Sequence, residues 1–185
     1  MHSKNGKKKN MGVQSAKECA FLAVFVALVI AAQFCFAAIP GVELVTILFL
    51  SYSYVMGAKR GMIAATAFSL LRQMLFGFFV EVLVLYLLYF NAFALLFGLL
   101  GKKWTDEKRA LPYLVLVVCI CTACFTILDN LINLLWYGMT KQVFKIYFLA
   151  ALPVMCSQIV CAALTTFFLF LPLQKVFAQA KRSLI

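Results

Sequence analysis

Histidine occurs once in this chain, at His2, and acidic residues number six against seventeen lysines and arginines. With its one histidine in the polar start of the chain, histidine-based acid–base chemistry, an HExxH zinc site and a serine–histidine dyad are ruled out. No GxxxxGK[ST] sequence exists. Gly98-Leu99-Leu100-Gly101-Lys102-Lys103 does not match that pattern, so ATP is not bound and hydrolysed in this way. Internal repeats, low-complexity linkers and any soluble domain are also missing. The chain reads as a non-enzyme without a cofactor, and anything it moves uphill draws its energy from a partner.

What the sequence does contain is apolar surface. Apolar residues make up 65%, charged residues only 12%, and the mean hydropathy is +1.01. No soluble domain of this length keeps that much apolar surface from water, so the solvent is the lipid bilayer. Six stretches read as spans: Glu18 to Ala38, Leu44 to Met56, Gly61 to Phe79, Val82 to Leu100, Pro112 to Leu135 and Pro153 to Leu171. Most approach the ~20 residues a helix needs to cross the hydrocarbon.

Basic residues fall almost only at every second break between these spans. Positively charged loops stay on the cytoplasmic side during insertion, which puts both termini inside. Only Arg72, Lys141 and Lys145 lie outside the segments so placed. The expected fold is therefore all-α, a polytopic membrane protein of six transmembrane helices in the bacterial cytoplasmic membrane. Residues 1–17 form a basic cytoplasmic tail, 18–172 the membrane domain and 173–185 a cytoplasmic tail. The net charge of +11 follows from that topology and from anionic headgroups, and nucleic acid is not an expected partner. The first apolar stretch is too long for a signal-peptide core and is taken as a retained helix.

Fifteen residues separate Glu43 from Lys59, and as a helix they reach only ~22 Å against a ~30 Å core. Either the bilayer thins there or the turn Ile39-Pro40-Gly41-Val42-Glu43 dips inward. Pro112 and Pro153 suit a first helical turn, and Pro172 marks a stop. The segment from Trp136 to Leu152 mixes aromatics with Lys141 and Lys145, as an interfacial belt does, or as a lid over a pocket would.

Two constellations stand out. Ala16, Ala20, Ala23, Ala27 and Ala31 recur at helical spacing within an arc of roughly 80°. Such a smooth face allows close backbone approach in lipid, either to a neighbouring helix of the same chain or to another protein. Charged residues at membrane depth form the second. Arg72 and Asp129 each lie seven residues, roughly 10 Å, below the outer ends of their helices. They either pair with one another or line one pocket with Gln73, Glu81, Tyr86, Asn130, Asn133, Trp136 and Gln158. The inner halves of the spans read as almost purely apolar and small, which favours an outward-facing site over a continuous pore. Cys119, Cys121 and Cys124 cluster on the fifth span, but cysteine is also a small residue suited to buried helices, and no metal is assigned.

Six short spans in 185 residues, the Ala16/Ala20/Ala23/Ala27 face, the turn IPGVELVTILFL, then GAKRG, SLLRQMLFGF and a final LPLQKVF resemble the substrate-binding S components of energy-coupling factor (ECF) vitamin transporters. The resemblance spans nearly the whole chain. It implies a membrane subunit that captures a vitamin-like micronutrient outside and docks onto a transmembrane coupling protein driven by two cytoplasmic ATPases. It further implies that Ala16, Ala20, Ala23 and Ala27 form the docking face. The expected substrate site comprises Arg72, Gln73, Glu81, Tyr86, Asp129, Asn133, Trp136, Lys141 and Gln158, with Tyr137 as a further wall. Such a set suits a planar or zwitterionic ligand held by stacking and charge-assisted hydrogen bonds. The alternatives are a non-catalytic scaffold similar to MreD-like membrane proteins and a small autonomous facilitator.

Overall fold

A computed structural model describes residues 16–104 and 106–184. Among them the chain is all-helical: α1 (Ala16–Phe36), α2 (Val45–Met56), α3 (Ala58–Phe76), α4 (Val80–Lys103), α5 (Glu107–Tyr137) and α6 (Lys141–Leu184). Of these, α1, α4, α5 and α6 are long and apolar enough to cross a membrane. Large apolar side chains such as Val24, Leu88, Leu116, Leu164 and Phe168 stand exposed on these four, the exterior expected of a chain solvated by lipid. The helices run alternately up and down. One end carries Gln33, Glu43, Gln73 and Tyr137, and the other Glu18, Lys59, Trp104 and Lys181.

The short helix α2 is the centre. Eleven of its twelve residues are buried, and it packs against α1, α3, α4 and α6. Wrapped in protein, α2 need not match the bilayer thickness, which answers the shortfall in length read from the sequence. The turn before it does sink inward. Gly41, at φ +81°, is buried where an added Cβ would fall 1.7 Å from Ser157 Oγ of α6. The Cys161 thiol lies 3.5 Å from the Glu43 amide nitrogen and donates back to the Glu43 carbonyl at 3.4 Å. Aromatic rings hold α2 laterally: Tyr52 stacks on Phe25 at 3.9 Å and meets Phe177 edge-on, while Phe49 packs on Phe68 and Phe90.

At the Lys59 end the backbones themselves touch. A Cβ on Gly98 would lie 2.3 Å from the Ala58 nitrogen, and one on Gly101 would lie 2.2 Å from the Tyr54 carbonyl oxygen. The glycines that fail as a phosphate loop are thus close-packing residues one helical turn apart, drawing α4 against the α2–α3 corner. An ion pair between Arg60 and Glu18 ties α3 to α1, and the Tyr54 hydroxyl donates to the Trp104 carbonyl.

Three expectations about the helix boundaries change. Lys141 to Leu152 is continuous with the sixth helix as the first three turns of α6, and Pro153 and Pro172 both lie inside that helix. Pro112 sits in the second turn of α5, whose first turn is capped instead by the Asp106 side chain. Beyond Pro172 the helix continues to Leu184 because its inner face has partners: Phe177 is buried against Phe21, Phe25 and Tyr52, and Lys181 donates to the Val55 carbonyl at the end of α2. Gln174, in the stretch expected as a cytoplasmic tail, has its side chain fully buried on α6 between Phe170 and Phe177.

The close approach at Gly98 gives a direct test. Gly98→Leu should lower the melting temperature of the purified chain sharply, at a cost above the ~1–3 kcal/mol usual for overpacking, because backbone rather than a side-chain tip opposes the new atoms. Leu99→Ala, one position on and 51% exposed, should stay within about 1 kcal/mol.

Candidate functional site

The polar residues at the Glu43 end divide into two groups. One converges on Tyr86. The Arg72 guanidinium carbon lies 4.1 Å from the centre of the Tyr86 ring and 5.0 Å from that of Phe76, so the cation stacks between aromatic faces. Its Nε is buried without a hydrogen-bond partner. The Gln33 amide nitrogen donates to the Tyr86 hydroxyl at 3.1 Å, which brings α1 to the same ring. Beside Tyr86 lies a cavity of about 20 Å³, lined by Gln33, Glu43, Val45, Thr46, Tyr86, Tyr89, Phe90, Thr122 and Phe125.

Glu43 is the acidic group of this cavity. Its carboxylate accepts from the Thr46 hydroxyl at 2.6 Å. Burial pushes its carboxyl above the ordinary carboxylate range, and the Thr46 hydrogen bond opposes that rise. The depth is notable. Phe125 precedes the end of α5 by twelve residues, so the cavity lies ~18 Å below the α5–α6 turn. A buried ionisable group is costly without a partner, and the Thr46 hydroxyl supplies one here.

The remaining expected residues do other things. Gln73 is buried and spans the α3–α4 turn: with its amide oriented to satisfy both neighbours, it donates to the Gly77 carbonyl at 2.7 Å and accepts from the Leu83 amide at 3.0 Å. It shapes the turn, using one amide N–H and one oxygen lone pair to do so. Asp129 and Arg72 do not form an ion pair; the ion pairs among the described residues are Arg60–Glu18 and Arg109–Asp106. Asp129 instead takes the Asn133 amide, one turn on, at 3.2 Å on its carboxylate and 2.9 Å on its carbonyl. Asn130 is buried and donates to the Thr126 carbonyl. Glu81 accepts from the Tyr137 hydroxyl at 2.6 Å on the exposed rim. Trp136 and Lys141 are exposed at the α5–α6 turn, and Gln158 lies half-buried on α6 where Gly41 packs. Of the nine expected pocket residues, Tyr86 lines the cavity and Arg72 stacks on its ring.

Glu43, Gln33 and Thr46 were not among the expected site residues. Gln33 is the one amide in an otherwise apolar first span, and Glu43 sits beside a helix too short to cross; both signals were present in the sequence.

Ala16, Ala20, Ala23, Ala27 and Ala31 are all exposed, while the opposite edge of α1 buries Phe25, Val26 and Val29. The alanine face therefore packs against nothing within the described chain. Cys119, Cys121 and Cys124 are free thiols, and no group of three His, Cys, Asp or Glu side chains among the described residues is arranged to hold a metal. A wider cleft of about 370 Å³ opens at the Lys59 end between α4 and α5, with Lys103, Trp104 and Tyr113 on its walls and an Arg109–Asp106 pair at 3.1 Å. This mixture of basic and aromatic side chains is the usual furniture of a membrane–water boundary.

No family model, curated protein or solved structure matches the chain.

The division between the two groups can be measured. Gln73→Leu should cost about 1–3 kcal/mol of stability for each turn group it leaves unpaired, read as a lower melting temperature, while leaving the surroundings of Tyr86 intact. Tyr86→Leu should instead free the Arg72 guanidinium, raising hydrogen exchange at the C-terminal end of α3.

Proposed function

We propose that this chain is the membrane-embedded substrate-binding subunit, or S component, of an ECF-type transporter. It captures a vitamin-like micronutrient at the Glu43 end, outside the cell, and delivers it inward by docking to a transmembrane coupling protein with two cytoplasmic ATPases. In this reading all six helices lie in the cytoplasmic membrane and both termini are cytoplasmic, in accord with the basic residues at Lys59, Arg60, Lys102, Lys103, Lys108 and Arg109.

The observation that carries the reading is the exposed alanine face of α1. In lipid no hydrophobic force draws helices together, so a smooth face is useful where another helix must approach closely or slide. A cavity at the opposite end from the basic loops, lined in part by Gln33, Glu43 and Thr46, supports a carried rather than a conducted solute. Such a chain moves its pocket as a body, and the alanine face is the sliding contact. The small size of the cavity is the one feature that favours a scaffold without a ligand, similar to MreD-like proteins.

Ala23→Trp or Ala27→Trp should abolish assembly with the coupling protein and its ATPases, read by native mass spectrometry of the co-expressed module, while substrate affinity is retained. Equal loss of both would assign the face to folding alone. For the pocket, Arg72→Ala should weaken substrate binding at least about tenfold more than Lys59→Ala, since one side chain stacks on Tyr86 and the other is exposed at the far end.

A further inference from the structure

The cleft at the Lys59 end combines charge, rings and room. It holds about 370 Å³ where the last turn of α4 meets the first turns of α5. Lys103 and Arg109 bring two cations to its walls, and Trp104 and Tyr113 bring two rings whose centres lie 5.9 Å apart. Trp104 is fixed from both sides of its backbone. Its amide donates to the Leu100 carbonyl at 2.8 Å, and its carbonyl accepts from the Tyr54 hydroxyl of the central helix. Asp106 is the one acid on the lining. It accepts from the Arg109 backbone amide at 3.4 Å and from Arg109 Nε at 3.1 Å. A guanidinium carries five N–H groups and this pair engages one of them. The pair is exposed on both sides, where an ion pair contributes little and yields readily to a second acceptor.

Two apolar stripes lead away from the cleft along the same helix faces. On α4, Lys103 is preceded at helical spacing by Leu99 and Leu96; on α5, Arg109 and Tyr113 are followed by Leu116 and Ile120. All four of these aliphatic side chains are exposed. A cationic mouth continuous with exposed apolar tracks matches a molecule with an anionic head and hydrocarbon tails. A soluble anion would use the cations but gain nothing from the tracks. A metal ion would meet Lys103 and Arg109 with a single, already paired carboxylate to hold it.

We infer that this cleft binds the headgroup of an anionic phospholipid. Its phosphate is held by Lys103 and Arg109, its glycerol end lies against Trp104 and Tyr113, and its acyl chains follow the two stripes. The inference goes beyond the transporter reading and does not depend on it. That reading only assigns the cleft to the cytoplasmic leaflet, whose surface carries the anionic lipids.

The test follows Trp104 fluorescence in the full chain. The sequence contains two tryptophans, and Trp136→Phe leaves Trp104 as the only one. The chain is reconstituted in phosphatidylcholine vesicles with a minor fraction of phosphatidylglycerol or phosphatidylcholine brominated near the glycerol end of its acyl chains, so that bound lipid quenches Trp104. Brominated phosphatidylglycerol should quench at a mole fraction about tenfold lower than brominated phosphatidylcholine. Lys103→Gln with Arg109→Gln should remove that preference, whereas Lys175→Gln with Arg182→Gln, at two exposed cations on the last turns of α6, should leave it. Equal quenching by the two lipids, a preference that survives the Lys103 and Arg109 substitutions, or one lost as fully with the α6 pair overturns the inference. Displacement by inorganic phosphate, but not by chloride at equal ionic strength, assigns the cleft to a soluble anion and overturns it too. Should the chain lacking Lys103 and Arg109 not reconstitute, the two lipids and the phosphate competition on the chain that keeps both decide. None of these readouts involves the coupling protein, so the transporter reading stands or falls separately, on assembly.

Discussion

Everything else in this bundle is arranged around the burial of α2. A twelve-residue helix of ~18 Å cannot cover a bilayer core by itself, and its unpaired end groups would be ruinous in hydrocarbon. The neighbouring helices supply what lipid cannot. Lys181 donates to the Val55 carbonyl at its C-terminal end, and the preceding turn is pinned to α6 through Gly41 and the Glu43–Cys161 contacts at its N-terminal end. Aromatic stacking from Phe25, Phe49, Tyr52, Phe90 and Phe177 closes the sides. Because there is no hydrophobic drive between helices in lipid, this close fit of rings and small residues has to hold the bundle together.

The short central helix also makes the cavity. When the turn before α2 sinks to meet it, Glu43 is carried ~18 Å below the α5–α6 turn, to the level of Tyr86 and Phe125. The same geometry separates Arg72 from Asp129. Arg72 stacks on aromatic faces, and Asp129 takes the amide of Asn133, so the two side chains are held by different elements and do not pair with each other. Polar groups at the Glu43 end thus fall into two classes, those that close local turns and those left facing the cavity. Gln73 and Gln33 show the contrast: two amides on neighbouring helices, one with both polar atoms bonded across a turn, the other with a buried oxygen that has no partner.

Much of this was legible in residue order. Apolar runs marked all six helices, and the arithmetic of α2 already posed the choice between a thinned bilayer and a dipping turn. The period of the alanines marked a smooth face on α1 but left open whether it turned inward; only the packing of Phe25, Val26 and Val29 on the other edge decides that. The prolines misled, because Pro153 and Pro172 were read as boundaries by their local chemistry, whereas the long-range partners of Phe177 and Lys181 keep α6 helical through and beyond them. The site was half legible for a related reason. Residue type and depth along a helix singled out Arg72 and Tyr86, but nothing local distinguishes Gln73, which closes a turn, from Gln33, which faces a cavity.

One element joins the two ends of the proposed activity. Helix α1 contributes Gln33 to the cavity and, on its exposed side, presents Ala16, Ala20, Ala23 and Ala27. Its buried edge is narrow, with Phe25 as the main anchor against Tyr52 and Phe177, whereas α2 is gripped on every side. A partner helix docked on the alanines can change the cavity only by shifting α1 relative to this fixed centre, and a ligand can favour docking only by holding Gln33 in the position the docked state requires. Each can bias the other by no more than its difference in affinity for the two positions of α1. On this reading the Gln33–Tyr86 hydrogen bond is the direct contact of α1 with the cavity rim, and it is a single neutral bond near the end of the helix. Coupling through it is therefore modest, on the order of the ~1 kcal/mol that one such bond contributes. On the proposed reading, energy for inward delivery comes from outside the chain, in keeping with the lack of a GxxxxGK[ST] sequence.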